Sequence, residues 1–326
     1  MNTLNDSVES SEDFISIASE ASSVTSLPPI QTARELLAKE HAMPKELICG
    51  LLHQATKGVL AGSSKAGKTW LLLDMALSVA SGTVFLKWPT KPARVLYVNL
   101  EIHPVFMKQR LETMMRCKQV NCDLDIWTLR GLTLDSAAML NAIIERAQTG
   151  YGLIVVDPIY KLMVGRSENV ASGVGVLCHS MERLMVETGA AVVYAHHFTK
   201  GNQSKKKAMD RMSGSGVFAR DADTIVTVTE CQTEGCFVVE TKLRNLVEAE
   251  PFVVQWDYPM MKVRDDLSPE LEAVNILDWL TEPLTTTEWE TVALRNGISR
   301  ATFYRMKAKV VSQLVLDGKK WKRRET

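Results

Sequence analysis

The run Gly62-Ser63-Ser64-Lys65-Ala66-Gly67-Lys68-Thr69 matches the pattern G-x-x-x-x-G-K-[ST] at every fixed position. The spacing has a mechanical reason. Its glycines let the backbone wrap so that N–H groups converge on anionic oxygens, and a helix opening at the loop adds the positive end of its dipole. Gly62, Ser63, Ser64, Lys65, Ala66, Gly67, Lys68 and Thr69 are therefore candidate phosphate-binding residues. Lys68 is expected to reach β- and γ-phosphates, and the Thr69 hydroxyl to coordinate Mg²⁺. A second run, Leu153-Ile154-Val155-Val156-Asp157, is apolar and ends in an acid. Alone, such an acid is more often only a turn or helix cap; paired with the phosphate loop, Asp157 becomes the candidate carboxylate that holds the metal through a water. Glu101, after Asn99-Leu100, either orients and deprotonates an attacking water or caps the following helix. His196 and His197 end a further apolar run and are candidates to sense a γ-phosphate. Metal binding by that pair is disfavoured, since no third ligand lies nearby in sequence.

These groups cooperate only if the fold gathers them at one edge. Strands are expected at 58–62, 94–100, 125–129, 153–157 and 190–195, with helices near 68–81, 104–115, 136–148 and 173–188. Runs such as Val95-Leu96-Tyr97-Val98 are apolar without interruption, as in strands buried on both faces, and their alternation with helices implies a parallel sheet. Ligands of such sheets bind beyond the carboxyl ends of the strands. After Asp223 the rhythm changes. Runs at 224–229, 237–241 and 252–256 follow without helices and are expected to add as antiparallel strands at one sheet edge. Residues 1–27 are acidic and Ser-rich, with no Lys or Arg, and read as a disordered tail. A short helix near 32–40 follows. Asp265-Asp266-Leu267-Ser268-Pro269 breaks the pattern, so domains are expected over 28–264 and 268–326.

Together these residues resemble the RecA-like P-loop ATPases, and within them the plasmid RepA-type hexameric replicative helicase group. The resemblance spans about residues 30–260. It rests on Leu47-Ile48-Cys49-Gly50, the phosphate loop, Val98-Asn99-Leu100-Glu101, Ile154-Val155-Val156-Asp157, Ala195-His196-His197, Gly214-Ser215-Gly216-Val217 and Asp221-Ala222-Asp223. It implies an α/β fold with a RecA-like, mostly parallel sheet, and ATP and Mg²⁺ as cofactors. Glu101 is implied as the catalytic base, and the His pair as a nucleotide sensor coupled to a DNA loop. Lys242 and Arg244 resemble the family's K-x-R pair, which reaches a neighbouring subunit's γ-phosphate; an exposed basic edge strand is the other reading. Lys161 and Arg166, and the loop with Lys200, Lys205, Lys206 and Lys207, match channel loops that hold single-stranded DNA by its backbone. A solvated charge run is the alternative for any one of these lysines.

The last segment reads differently. An amphipathic helix over 270–280, a second over 287–295, and a third capped by Ser299 and reaching about 313 precede an Asp317-Gly318 hairpin signal. Phe303, Met306, Val310 and Leu314 are expected to face inward, with Arg300, Tyr304 and Lys307 on the outer face. The unit resembles a winged helix-turn-helix, which implies duplex DNA under Arg300, Tyr304 and Lys307, with Lys319 and Lys320 of the wing on phosphates. A small bundle packing on a protein partner is the rival.

Lys plus Arg and Asp plus Glu both total 38, and this zero formal balance excludes a uniformly basic coat but not local patches. No apolar run approaches the ~18 residues of a membrane span, and the N-terminus lacks a signal-peptide pattern. Six cysteines make no disulfide framework, and the pairs Cys117/Cys122 and Cys231/Cys236 make only a weak zinc reading. A cytoplasmic location with reduced thiols is expected. The combined expectation is a Mg-ATP-dependent, ring-forming motor on DNA, a replicative helicase or translocase of a mobile element and a homo-oligomer, by resemblance a hexamer. One rival is an ATP-switched DNA-binding regulator or loader that does not unwind. Another is a small-molecule phosphotransferase, which has no need of channel loops or a neighbour's Lys242 and Arg244.

Overall fold

The computed structural model describes residues 29–40, 42–63, 66–132, 136–148, 150–162, 171–197, 220–231, 233–269, 276–296, 298 and 300–324. The chain divides into two compact units, Met1–Met43 and Pro44–Thr326. In the first, α1 (Ala33–Ala38) begins at Thr32, whose side chain accepts from the Glu35 N–H. The Glu35 carboxylate accepts in return from the Thr32 N–H at 2.7 Å, so the cap satisfies donors that a helix start leaves over. The acidic tail over 1–27 lies outside the described residues.

In the second unit, β1 (Glu46–Ile48) and β2 (Leu52–His53) form a small hairpin. The main sheet has nine strands among the described residues. They are β3 (Lys57–Gly62), β4 (Val95–Asn99), β5 (Leu124–Thr128), β6 (Leu153–Asp157), β7 (Ala191–His197), β8 (Thr224–Glu230), β9 (Cys236–Leu243), β10 (Phe252–Asp257) and β11 (Met260–Val263). Their spatial order is β11-β10-β9-β8-β3-β7-β6-β4-β5. The intervening helices are α2 (Lys68–Ser81), α3 (Pro104–Lys118), α4 (Ser136–Ala147) and α5 (Ala171–Thr188).

Alternate strand residues feed two separate cores, as the two-residue period of a strand requires. Val95, Tyr97, Leu153, Val155 and Val193 pack with Leu72, Met75, Met107 and Met114 of α2 and α3. Leu96, Val98, Ile154, Val156 and Val192 pack with Met139, Ile143, Leu177 and Met181 of α4 and α5. Both faces are thus covered, which explains the unbroken apolar runs. The expected mostly parallel sheet with antiparallel edge strands is what forms, with one correction. β8 was expected to be antiparallel, yet it pairs parallel with β3, and antiparallel pairing starts only between β8 and β9. The long connection between His197 and Thr224 allows the crossover that a parallel neighbour needs. β11, which the sequence reading did not anticipate, extends the antiparallel edge.

The C-terminal residues gather around their own cluster, centred on Trp289 and Phe303. Most of the helix expected over 270–280 falls on residues 270–275, outside the described set; over Ile276–Trp279 the chain forms a 3₁₀ turn. Then follow β12 (Leu284–Thr285), α6 (Thr286–Arg295), α7 (Arg300–Val310), β13 (Leu314–Asp317) and β14 (Lys320–Arg323). Three strands order as β12-β14-β13. Phe303, Met306, Val310 and Leu314 are buried, as the periodicity predicts. The hairpin forms one residue later than its signal: Asp317 pairs with Lys320, and Gly318 takes the first loop position at φ 61°, where a two-residue II′ turn demands glycine.

Candidate active site

Register puts the chemistry at one edge. Gly62 pairs with His197 and Asn99 with Asp157, so β3, β4, β6 and β7 all deliver their last residues to the carboxyl edge of the parallel strands. Gly67 opens α2 at φ 70°, a left-handed conformation natural to glycine, and an added Cβ would lie 2.8 Å from the Met261 methyl. Ala66 is fully buried, and its N–H donates to the Ser63 carbonyl at 3.2 Å. Ser63 also donates its hydroxyl to Glu230 at 3.0 Å. Ser64 and Lys65 lie outside the described residues.

Lys68 is only 6% exposed. Its ammonium donates to the Gly62 carbonyl at 3.0 Å and the Ser63 carbonyl at 2.6 Å, and contacts His197 Nδ1 at 3.1 Å. Burial pushes its pKa down to about 8, against the opposing pull of Asp157 and Glu101. A buried cation held by carbonyls is a site prepared for an anion to displace them. His196, behind it, is buried and pushed down to about 4 by burial. His197 is lowered by burial and then by Lys68.

Asp157 is 4% exposed and accepts from the Tyr97 phenol at 2.7 Å. Burial lifts its carboxyl pKa, with Tyr97 and Thr69 opposing. A buried carboxylate and the Thr69 hydroxyl are hard oxygens of the kind that suit Mg²⁺ shared with phosphate oxygens. Among the described residues no group of three or more His, Cys, Asp or Glu could hold a metal without such help. Glu101 is exposed and sits in a turn built by Asn99, whose Oδ1 accepts the Ile102 N–H at 2.8 Å and the Glu101 N–H at 3.3 Å.

Other expected residues lie elsewhere. β8 pairs Val228 with Gly62 and Ile225 with Val59, and Ile225 faces Lys242 on β9. Lys242 is therefore set back three residues along the strand direction, about 10 Å, and Arg244 is set back further, beside Asp223 at the start of β3. Lys242 pairs with Glu248 at 2.6 Å; Arg244 pairs with Asp223 at 3.2 Å and donates to the Arg220 carbonyl. Lys161, in the 3₁₀ turn Ile159–Leu162, lies over the Tyr160 ring, which neighbours His197. Arg166, Lys200, Lys205, Lys206 and Lys207 lie outside the described residues, as does Gly214-Ser215-Gly216-Val217. In the C-terminal segment, the face shared by Arg300, Tyr304 and Lys307 turns toward α6. Arg300 pairs with Glu290 at 3.1 Å, Tyr304 donates to Glu290 at 2.9 Å, and Lys307 donates to Thr286 at 2.9 Å while covering the Trp321 ring. Lys319 and Lys320 stand exposed on the hairpin.

The sequence reading missed an aromatic group around the residue that follows the loop. Trp70, next to Thr69, packs on Trp256 and Tyr258 with ring centroids 5.5 and 5.6 Å away, and the Arg110 guanidinium lies 4.6 Å from the Trp70 ring. Tyr258 keeps 64% exposure, leaving ring surface for a flat ligand. The only sequence signal was an aromatic directly after the loop. Tyr97 and Asn99 were missed too, because inside a strand they read as packing.

A parallel α/β sheet with this loop, lysine and acid at its carboxyl edge defines a P-loop ATPase. The chain belongs to the AAA domain family, whose model matches residues 21–203. Among solved structures it is similar to the RadB recombinase, with a TM-score of 0.48 and 14% identity over 65% of this chain and 92% of that one.

Proposed function

We propose that this protein is a Mg-ATP-dependent, ring-forming motor acting on DNA, of the helicase or translocase kind. The observation that carries the reading is the separation of Lys242 and Arg244 from the phosphate loop of their own chain. With Lys242 about 10 Å back along the strands and Arg244 further, neither reaches the loop of its own chain, and action on a neighbour's site is the role an arginine finger would take. Hydrolysis then belongs to an interface, and a closed ring supplies one at every junction.

Within the site, the loop N–H groups and Lys68 bind the phosphates, Lys68 exchanging the Gly62 and Ser63 carbonyls for phosphate oxygens. Thr69 and Asp157 would hold Mg²⁺, which neutralises charge on the β- and γ-phosphates when bound. Glu101 orients a water and takes its proton. His197, touching Lys68, is placed to register whether a γ-phosphate is present. The Trp70, Tyr258 and Arg110 group would receive the base by stacking.

We assign DNA contact to two places. Lys161, Arg166 and the loop bearing Lys200, Lys205, Lys206 and Lys207 would line a channel for a single strand. The C-terminal unit over 268–326, with the order β12-β14-β13 beside α6 and α7, supports a separate winged-helix domain that holds duplex through Lys319 and Lys320. In that unit Arg300 and Tyr304 must leave Glu290 before they can reach a base. That tether favours a second reading, a DNA-binding regulator or loader switched by ATP.

One experiment separates the two. ATP hydrolysis is measured with and without single-stranded DNA, and mass is determined under the same conditions. Stimulation in a hexamer is expected of the motor; a slow, DNA-indifferent rate with tight duplex binding gives the regulator. In the motor, Arg244→Ala mixed with Lys68→Ala regains turnover, because each supplies the half-site that the other lacks. No rescue at any ratio, with subunit exchange verified, removes the shared site.

A further inference from the structure

We propose that β4 positions both acids of the site: the Tyr97 phenol fixes Asp157, and the Asn99 amide fixes the turn that carries Glu101. The proposal rests on the reading of Asp157 as the metal-holding acid and Glu101 as the base. Residues 97 and 99 share one face of the strand, and each does something that packing alone would not require.

Tyr97 is fully buried in the core beneath α2 and α3. A phenylalanine would fill the same volume, yet the chain places a hydroxyl there and spends it on Asp157 Oδ2 at 2.7 Å. Register explains the reach. Tyr97 pairs with Val155 and Asn99 with Asp157, so the phenol spans the diagonal to a residue two places along the neighbouring strand. The Tyr97 phenol therefore holds the carboxylate of Asp157 from within the core, the role of partners that orient metal ligands elsewhere.

Asn99, also fully buried, uses its whole side-chain amide. Oδ1 accepts from the Ile102 and Glu101 N–H groups at 2.8 and 3.3 Å; Nδ2 donates to the Ile102 carbonyl at 2.7 Å and the Thr128 hydroxyl at 3.3 Å. Those bonds define the turn after β4 and tie it to β5. Glu101 can then be exposed while its backbone is fixed. Tyr97 touches the metal acid and Asn99 the base-bearing turn, so their effects are separable.

The test uses the full chain and a fluorescent ADP analogue, titrated in EDTA and in rising MgCl₂, with thermal unfolding as the check on folding. Tyr97→Phe should leave metal-free affinity within about twofold and lose about tenfold or more of the Mg²⁺-dependent gain. Its ATP turnover should recover to near wild type at high Mg²⁺, a recovery that a merely damaged core would not show. Asn99→Asp, which keeps the acceptor but not the donor, and Asn99→Ser should keep the Mg²⁺ gain and slow turnover about tenfold or more. A full Mg²⁺ gain in Tyr97→Phe, or normal turnover in both Asn99 variants, overturns the proposal. Wild-type protein with no Mg²⁺-dependent gain overturns the metal reading of Asp157, and the proposal with it. Should the Asn99 variants fail to fold, the Tyr97→Phe result decides alone.

Discussion

Lysines of this molecule stand in two opposite settings. At the carboxyl edge of the parallel strands, Lys68 is 6% exposed and surrounded by carbonyls, a histidine and two acids. On the C-terminal hairpin, Lys319 and Lys320 point into solvent. Burial makes the first a group whose every neighbour matters, because charge in a low dielectric is strongly coupled. Exposure makes the others nearly independent point charges, screened by salt within about 8–10 Å. A buried cation suits chemistry, and an exposed one suits steering.

The largest expected effect lies at the buried lysine. Lys68→Ala should reduce ATP turnover by at least about a hundredfold, the scale for loss of one preorganised donor at a phosphoryl site. The fold should survive, since the variant removes a charge that burial disfavours. Near-normal steady-state turnover would take the loop out of the mechanism. Next comes Glu101→Gln, at about a hundredfold in hydrolysis with nucleotide affinity kept, because the phosphates and metal remain held. Weakened binding with unchanged turnover would exclude Glu101 as the base.

The same contrast governs what could be read in the sequence. The phosphate loop, Glu101, Asp157 and the His pair were legible because each ends an apolar run, and a parallel sheet carries such ends to one edge. Tyr97 and Asn99 were not, since their work depends on which strand lies alongside, and order β6-β4-β5 cannot be read from β4 alone. The Trp70, Trp256 and Tyr258 group failed for the same reason: its members come from α2, β10 and the turn after it. The orientation of β8 went unread because strand direction depends on the connection before it, not on Thr224-Ile225-Val226. On α7 the period located the buried stripe, but it could not show that Glu290 of α6 captures Arg300 and Tyr304.

A smaller effect probes the wall behind Lys68. His196 titrates near 4 in the fold, down from its ordinary 6.5. A lowered folded pKa means that the unfolded chain binds the extra proton first, so stability contributed by neutral His196 is present above about 6.5 and is lost as pH falls toward 4. The loss is on the order of 3 kcal/mol at full protonation. Denaturant midpoints at pH 7 and pH 4.5 should therefore differ more in wild type than in His196→Gln. Equal differences would place the histidine in a wetter site than its burial indicates.

The smallest effects belong to the C-terminal segment, and there the ranking of cations is the question. Replacing Lys319 and Lys320 by alanine should lower the salt dependence of duplex binding by up to about one unit per lost phosphate contact, uniformly across sequences. Basal ATP turnover should not change. Arg300→Ala should do less, under about fivefold in duplex affinity, because its guanidinium is already paired with Glu290, whose side chain is only 13% exposed. Affinities of the two variants for one duplex, measured at several salt concentrations, test that order. If Arg300→Ala loses more than the double lysine variant, and loses it on some sequences and not others, the bond to Glu290 opens on binding. Helix α7 would then read the bases, with the hairpin reduced to a support.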